Sequence, residues 1–425
     1  MRESQSLRFA GDVSIDKVKI ITSNGFYQDI AAQVINIQYY EDLFSPFISG
    51  SLILKDSLDL VNLFPFVGEE FVELEITTPT LQKGGIKGRY YIYKLSDREL
   101  IGDNVVVYQL HFISVEAIID LNKKVSKVYT GNAANIVKSI VADKTDGLQS
   151  DKTVYAEETT RDVKFISNFW SPVKSINHIT ELGVNRNASP SYVFFENRDG
   201  FYFVSLDSLY ASDVYQDFVY DKYTRDDLGN GKTVRNVQQD FKRIASLSIP
   251  VGFDYINRIR SGAFASKAIS YDLTNKKYNV RNYNMFEKFN KQNHLNKYSL
   301  ASDRAIFRSN SVLVNYPRAL NTFSGFGDTT NYKTFQERIS LLKQAESNKI
   351  EIVVPGRTDY TVGQKVSVTL NKVEPVSKND IDTTDKMFSG FYLISAINHY
   401  ITRESHECNM ELIKDSLQLN LDGNK

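Results

Sequence analysis

Residues 350–370 read IEIVVPGRTDYTVGQKVSVTL and contain two runs in which apolar and polar residues alternate, separated by turn residues. Two further apolar runs, 391–397 and 410–413, follow before the carboxy terminus. Alternation with a period of two is typical of strands that bury one face and expose the other. The segment 350–419 therefore predicts four strands of an antiparallel sheet, in a barrel or a sandwich.

Part of this segment matches a stretch near the amino terminus when the chain is shifted against itself by 302 residues. Five of the 27 ungapped pairs between 88–114 and 390–416 are identical, and an alternating apolar run precedes each copy, at 72–76 and at 366–370. Self-similarity at a fixed offset indicates a repeated structural unit, here one barrel used twice. The residues that define the repeat are Gly88, Tyr90, Ile92 and Leu110 in the first copy and Gly390, Tyr392, Ile394 and Leu412 in the second.

The composition disfavours several classes of function. Lys and Arg together number 51, as do Asp and Glu, so no net field steers the chain to nucleic acid or to an anionic membrane. The single cysteine, Cys408, excludes an internal disulfide framework, and no Cys/His cluster has the spacing of a zinc site. No uncharged apolar run reaches the ~18 residues that span a bilayer, and 1–12 lack the pattern of a secretory signal. We therefore expect no cofactor, no membrane partner and no sequence-specific binding of nucleic acid.

The order of strand and helix signals predicts the organisation of the chain. Turn residues separate six strand-like runs in the first 122 residues, which predicts a first antiparallel β-barrel over 1–122. A helical stripe over 132–143, a helix that follows Ser171-Pro172 and an aromatic hairpin over 191–205 then predict a mixed domain. The predicted fold class is α+β and mainly β, with two similar antiparallel β-barrel domains and an inserted mixed α/β domain.

Two further segments bear on the second barrel. Residues 234–247 have helical periodicity, and 261–272 alternate small apolar and polar residues, as a strand that returns to a barrel would. A helix over 331–349 then leads into the carboxy-terminal strands.

Three short motifs resemble known sites without matching them. His406-Glu407 begins like a metalloprotease helix, but position 410 is Met and the run has strand character. The acidic loop 379–385 lacks the glycine and the terminal glutamate of an EF-hand loop. Residues 229–233 end like a phosphate-binding loop but lack its first glycine. We therefore predict no catalytic, cofactor-binding or metal-binding residues and a protein that is not an enzyme.

Short motifs spread along most of the chain carry a resemblance to a known family. They are GSLILKD at 50–56, YVFFENRDGFYFV at 192–204, Pro355-Gly356 followed by VGQKV at 362–366, SGFYLI at 389–394, His399, and LIKDSL at 412–417. Together they resemble the baseplate hub proteins of T-even-type contractile-tailed bacteriophages, which are related to the hub part of injection-system spike proteins. The resemblance is weakest over 276–331.

The resemblance implies a fold and a domain order. Such hubs are trimers in which each subunit gives two similar barrels to a ring, so that three chains present six near-equivalent units. By this analogy the second barrel is discontinuous and the mixed domain is inserted into it. The implied domains are a first barrel over 1–122, the mixed domain over 123–240 and 273–348, the second barrel over 241–272 and 349–419, and a tail over 420–425.

The resemblance also implies a function and partners. The chain would be a structural baseplate hub of a contractile tail, a symmetry adaptor that forms a homotrimeric pseudo-sixfold ring and joins the tail tube protein to the central spike protein. Other baseplate proteins would surround it in the virion, after assembly in the host cytoplasm. Barrels that leave an edge strand open invite pairing with another chain, and head-to-tail contacts that close by rotation remove such edges.

Two other classes of function stay open on the residues alone. A tail-associated cell-wall hydrolase would need a pair of carboxylates in a cleft, and the 51 acidic residues of the chain do not exclude one. A carbohydrate-binding module would use Tyr and Phe side chains as platforms, and the chain has 25 Tyr and 26 Phe.

Overall fold

A computed structural model describes the chain over residues 7–63, 66–81, 84–101, 104–220, 237–272, 276–302, 313–318, 330–372 and 384–421. Most strands belong to one 13-stranded sheet, and four smaller sheets accompany it. This agrees with the mainly β prediction of the sequence.

The first half of the large sheet comes from the amino-terminal residues. Apolar residues at every second position give these strands one buried face, as in Val72, Leu74 and Ile76. Every strand pair in this part of the sheet is antiparallel. The elements are β1 (Ser14–Ile21), β2 (Tyr27–Asp29), β3 (Val34–Asp42), β4 (Ser49–Asp56), α1 (Leu60–Leu63), β5 (Phe71–Thr77), β6 (Ile86–Leu100) and β7 (Val106–Ser114).

A mixed unit of helices and two small sheets follows. The predicted helix starts are present: the Asn132 side chain accepts a hydrogen bond from the Ala134 N–H, and Ser171 caps a helix with Pro172 in its first turn. The predicted aromatic hairpin is also present. The elements are α2 (Val115–Asn122), β8 (Val125–Asn132), α3 (Ala133–Ala142), β9 (Val154–Ala156), β10 (Asp162–Trp170), α4 (Pro172–Leu182), β11 (Tyr192–Asn197), β12 (Gly200–Ser205) and α5 (Leu206–Tyr210).

The remaining chain supplies the second half of the large sheet and a peripheral three-stranded sheet. Its elements are β13 (Val214–Tyr220), α6 (Val237–Asp240), β14 (Ser246–Val251), α7 (Tyr255–Arg260), β15 (Ala265–Asp272), β16 (Lys277–Asn284), α8 (Met285–Lys288), a 3-10 turn (Phe289–Lys291), β17 (Tyr298–Ser299), β18 (Leu313–Arg318), α9 (Phe335–Ala345), β19 (Lys349–Pro355), β20 (Lys365–Leu370), β21 (Gly390–Thr402), β22 (His406–Ile413) and β23 (Ser416–Leu417).

Two sequence expectations for residues 234–272 differ from the structure. The described part of 234–247 contains only the short helix α6, and its last residues enter the strand β14. The strand β15 pairs with β16 and β18 in the peripheral sheet, whereas its alternating pattern predicts a strand of the second barrel. Its small residues pack instead under α9, where the Gln336 side-chain amide donates to the Ser266 carbonyl at 3.0 Å. A period of two indicates a strand but does not identify the sheet to which it belongs.

Candidate functional site

The two halves of the large sheet share one strand order. In the first strand set the spatial order is β1-β5-β6-β7-β4-β3, with the three-residue strand β2 added outside β1 and left out of the comparison, and in the second it is β13-β20-β21-β22-β19-β14. Numbered along the chain, both read 1-4-5-6-3-2. The sets differ in their first strand, because β1 runs antiparallel to its neighbour β5 while β13 runs parallel to β20.

The glycines and tyrosines of the predicted repeat lie at matching places in these two sets. Tyr90 on β6 lies opposite Val72, and Tyr392 on β21 lies opposite Val366. Two residues away along each strand pair, Gly88 lies opposite Leu74 and Gly390 lies opposite Val368. Both tyrosines are buried.

The hairpins that continue from these residues also carry matching irregularities. The pairing of β6 with β7 shifts after Ile92, and the pairing of β21 with β22 shifts after Ile394. Leu412 lies opposite Ile394, whereas Leu110 lies opposite Leu95 rather than Ile92. The two hairpins therefore differ in register by two residues at this point, and the pairing of β6 with β7 shifts once more between Ser96 and Glu99, where the pairing of β21 with β22 does not.

The strand β21 joins the two sets into one sheet. Its first residues pair with β20 of its own set, and Ala396–Thr402 pair antiparallel with Asn36–Asp42 of β3 in the first set. The corresponding part of β6, Lys94–Leu100, pairs with β7 on one side only within the described residues; we call it the β6 edge. The strand β14, the counterpart of β3, pairs only with β19 in the described part of the chain; we call Ser246–Val251 the β14 edge.

The buried carboxylate of Glu41 stabilises the junction between the two strand sets through three hydrogen bonds. Glu41 lies on β3, and its carboxylate accepts hydrogen bonds from the Arg198 backbone N–H at 2.9 Å, from the Val362 N–H at 3.1 Å and from the Thr361 hydroxyl. These donors belong to the hairpin turn of the mixed unit and to the loop before β20. Burial raises the pKa of Glu41 to about 7, and the three hydrogen bonds oppose that rise. One side chain thus connects three parts of the fold.

A second buried group connects the mixed unit to the first set. The Lys152 ammonium lies 2.8 Å from Glu116 and 2.6 Å from Glu196, and both glutamates are almost wholly buried. Glu196 also accepts a hydrogen bond from the Ile48 N–H at 3.1 Å. Burial raises the pKa of Glu196, and the attraction of Lys152 opposes the rise.

A cluster of two histidines and the single cysteine lies beside this junction. His399 lies directly opposite Cys408 in the β21–β22 hairpin, and His406 precedes Cys408 by two residues on the same face. The three side chains are buried, and Tyr39 of β3 contacts the His399 ring edge-on. Spacing along the chain did not reveal this cluster, although His-x6-His-x-Cys around a predicted turn contains the signal once the hairpin register is known.

Apart from His406, the short motifs contribute no assembled site among the residues that the structure describes. His406-Glu407 lies in a strand, as predicted, with Glu407 exposed. Residues 229–233 and most of the loop 379–385 lie outside the described residues. No helix among the described residues has the length and apolarity to cross a bilayer.

Comparisons with known proteins identify the fold. No family model matches the chain, and no curated protein sequence matches it. It is similar to the tail protein from Neisseria meningitidis MC58, with a TM-score of 0.55 and 12% identity over 95% of this chain and 97% of that chain. It is also similar to the 43 kDa tail protein of prophage MuSo2 from Shewanella oneidensis, with a TM-score of 0.53 and 8% identity over 94% and 99%. The chain therefore has the fold of these two tail proteins along nearly its whole length.

Proposed function

We propose that this chain is a structural hub protein of a contractile phage tail, which forms a trimeric ring of six similar units between the tail tube and the central spike. Its fold, shared with two tail proteins, supports the tail assignment. The observation that carries the ring is the repeated strand order, because two similar units in each of three chains present six similar surfaces to a sixfold partner.

The pairing of β21 with β3 inside one chain suggests how two chains would pair with each other. Within one subunit, Ala396–Thr402 of β21 cover the outer side of β3. The repeat offset of 302 residues carries Ala396–Thr402 onto Lys94–Leu100, which is the β6 edge. The counterpart of β3 is β14. We infer that the β6 edge of one subunit pairs antiparallel with the β14 edge of the next, so that six junctions of one kind close the ring.

Exposed apolar side chains at both edges support this pairing. Beside the β14 edge, Phe253 is 73% exposed and Ile256 is 64% exposed. At the β6 edge, Leu100 is 71% exposed and Ile101 is 55% exposed. Clustered apolar exposure of this kind marks interaction surfaces in soluble proteins. Pro250 lacks an N–H, so the ladder of backbone hydrogen bonds is confined to the first residues of the β14 edge.

The pairing makes a specific prediction about residues that meet between subunits. Asn36 lies opposite Thr402 within the chain. A second shift in the pairing of β6 with β7, between Ser96 and Glu99, places Ile101 at the position of Thr402. The strand registers place Ser246, which lies opposite Val353, at the position of Asn36, which lies opposite Ile53. In the double variant Ser246→Cys, Ile101→Cys we therefore expect mild oxidation to link subunits covalently into dimers and trimers on a denaturing gel.

A matched control distinguishes cross-linking at this contact from cross-linking by random collision of subunits. Ile166 is an exposed residue on β10, away from both edges. The pair Ser246→Cys, Ile166→Cys offers the same number of exposed thiols and should stay monomeric on the gel. Light scattering of the unmodified chain at low micromolar concentration should give the mass of three subunits. A monomeric mass together with equal cross-linking in both variants would refute the ring.

In this proposal the ring has a mechanical role, and the chain catalyses no reaction. The partners are the chain itself, a tail tube protein, a spike protein and neighbouring baseplate proteins, in the virion. Clearing of peptidoglycan by the purified protein in a zymogram would contradict this assignment and favour a hydrolase.

A further inference from the structure

The His399, His406 and Cys408 cluster has the geometry of a metal site. The Nδ1 atom of His399 lies 3.0 Å from Nε2 of His406, and the Sγ atom of Cys408 lies 3.3 Å from the first nitrogen and 3.5 Å from the second. The same three atoms enter all three distances. The three atoms therefore form a compact triangle, as the ligands of one ion would.

These separations are close to those that zinc requires. A tetrahedral zinc ion holds nitrogen at ~2.0–2.1 Å and sulfur at ~2.3 Å, so two nitrogens on it lie about 3.3 Å apart and a nitrogen and a sulfur about 3.6 Å apart. The observed distances depart from these values by about 0.3 Å or less. Small rotations of the rings would accommodate the ion.

The Nδ1 atom of His406, the ring nitrogen outside the cluster, is buried and has no hydrogen-bond partner among the residues that the structure describes, so it is free to carry the proton of the neutral ring while Nε2 faces Cys408 and His399. Neutral imidazole is the form that binds a metal, and the burial of both histidines favours that form.

The site also occupies a place where a crosslink would matter. The hairpin of β21 and β22 carries all three residues, and the same stretch of β21 pairs with β3 of the first strand set. The backbone of the amino-terminal segment and of the loop after β19 covers it, since the His406 N–H donates to Gly11 at 2.8 Å and the Gly356 N–H donates to His406 at 2.7 Å. A metal there would hold the hairpin at the junction of the two sets.

We propose that His399 Nδ1, His406 Nε2 and Cys408 Sγ bind one structural zinc ion, with a water molecule in the fourth position. On binding, the thiol of Cys408 releases its proton to solvent and the thiolate sulfur bonds to zinc, while both histidines bind in their neutral form. The ion enters as the chain folds, because the three ligands are buried in the folded chain. This proposal is independent of the ring.

The test uses the full chain, purified without chelators from zinc-supplemented cells. We expect elemental analysis to give about one zinc per chain after dialysis against metal-free buffer. Refolding with Co²⁺ in place of zinc should produce a thiolate-to-cobalt charge-transfer band. The chain has only one cysteine, so this band alone assigns the metal to Cys408.

Two variants complete the test. Cys408→Ala removes one ligand and should lose both the zinc and the cobalt band. Met410→Leu is the matched control, because Met410 is equally buried two residues further along β22 and is outside the cluster; it should keep both. Should Cys408→Ala fail to fold, the cobalt band of the unmodified chain still decides. Absence of zinc and of the band in the unmodified chain, equal zinc in a folded Cys408→Ala variant, or copper in place of zinc would each overturn the proposal.

Discussion

The pH dependence of stability should report directly on Glu41. Burial raises its pKa from 4.5 to about 7, so the folded chain holds a proton there that the unfolded chain has already lost. The stabilisation is therefore fully present below pH 4.5 and is lost as pH rises through about 7. Each pKa unit corresponds to 1.36 kcal/mol, so the rise amounts to about 3 kcal/mol lost between pH 5 and pH 8.

Replacement of Glu41 by Gln removes the titration and keeps the shape. Gln has one acceptor oxygen for the three donors, and its NH₂ group faces backbone N–H groups, so at pH 5 the variant should be less stable by about 1–3 kcal/mol. At pH 8 the difference should vanish or reverse, because the buried charge of the unmodified chain is then the larger cost. The two stability curves should therefore converge or cross between these values.

The assay is denaturant unfolding of both proteins at a series of pH values from 5 to 8. A chain of 425 residues does not necessarily unfold in one step, so the quantity to compare is the midpoint difference between variant and unmodified chain at each pH. Parallel curves over this range, which neither converge nor cross, would refute the assignment of a raised pKa to Glu41 and with it the account of the junction.

Two more predictions concern lysines, the partly exposed Lys152 and the buried Lys414. The variant Lys152→Met leaves Glu196 buried without its cation and should lower the free energy of unfolding by about 3 kcal/mol in the same denaturant assay. The control is Lys144→Met: Lys144 pairs with Asp151, which is 90% exposed, so its loss should change the free energy of unfolding little. Burial lowers the pKa of Lys414 from 10.5 to about 7, so the folded chain binds fewer protons and stability should rise with pH between these values. Lys414→Met should abolish that rise, and an unchanged pH profile in the variant would contradict it.

The sequence predicted the features that depend on local pattern. Periodicity located β1 and β3–β7 of the first set and β19–β22 of the second, but not β13 or β14. The patterns at Asn132 and Ser171 located the starts of two helices, because such signals depend on neighbouring residues. The 302-residue offset pointed to two strand sets of one order, in which Gly88 and Tyr90 match Gly390 and Tyr392, while Leu110 and Leu412 differ in register by two residues. Local pattern was informative wherever a residue's neighbours in sequence determine its conformation.

The features that depend on pairing between distant segments were not predictable. Glu41 follows two tyrosines at the end of a strand and is indistinguishable in sequence from a surface acid, although its partners lie in loops more than 150 residues away. His399 and Cys408 become neighbours only when the register of their hairpin is fixed. The strand β15 has the right period for either sheet, and its packing under α9 decides between them.

The strand β21 has a mechanical consequence for any assembly that includes this chain. Because one continuous strand of 13 residues belongs to both halves of the large sheet, the halves have no flexible linker at which to hinge there. A force along this strand acts parallel to β3, so that several of the hydrogen bonds between the two strands must break at once. This geometry resists force better than one in which the hydrogen bonds break one after another. A subunit built in this way passes a push from one half to the other as a stiff body.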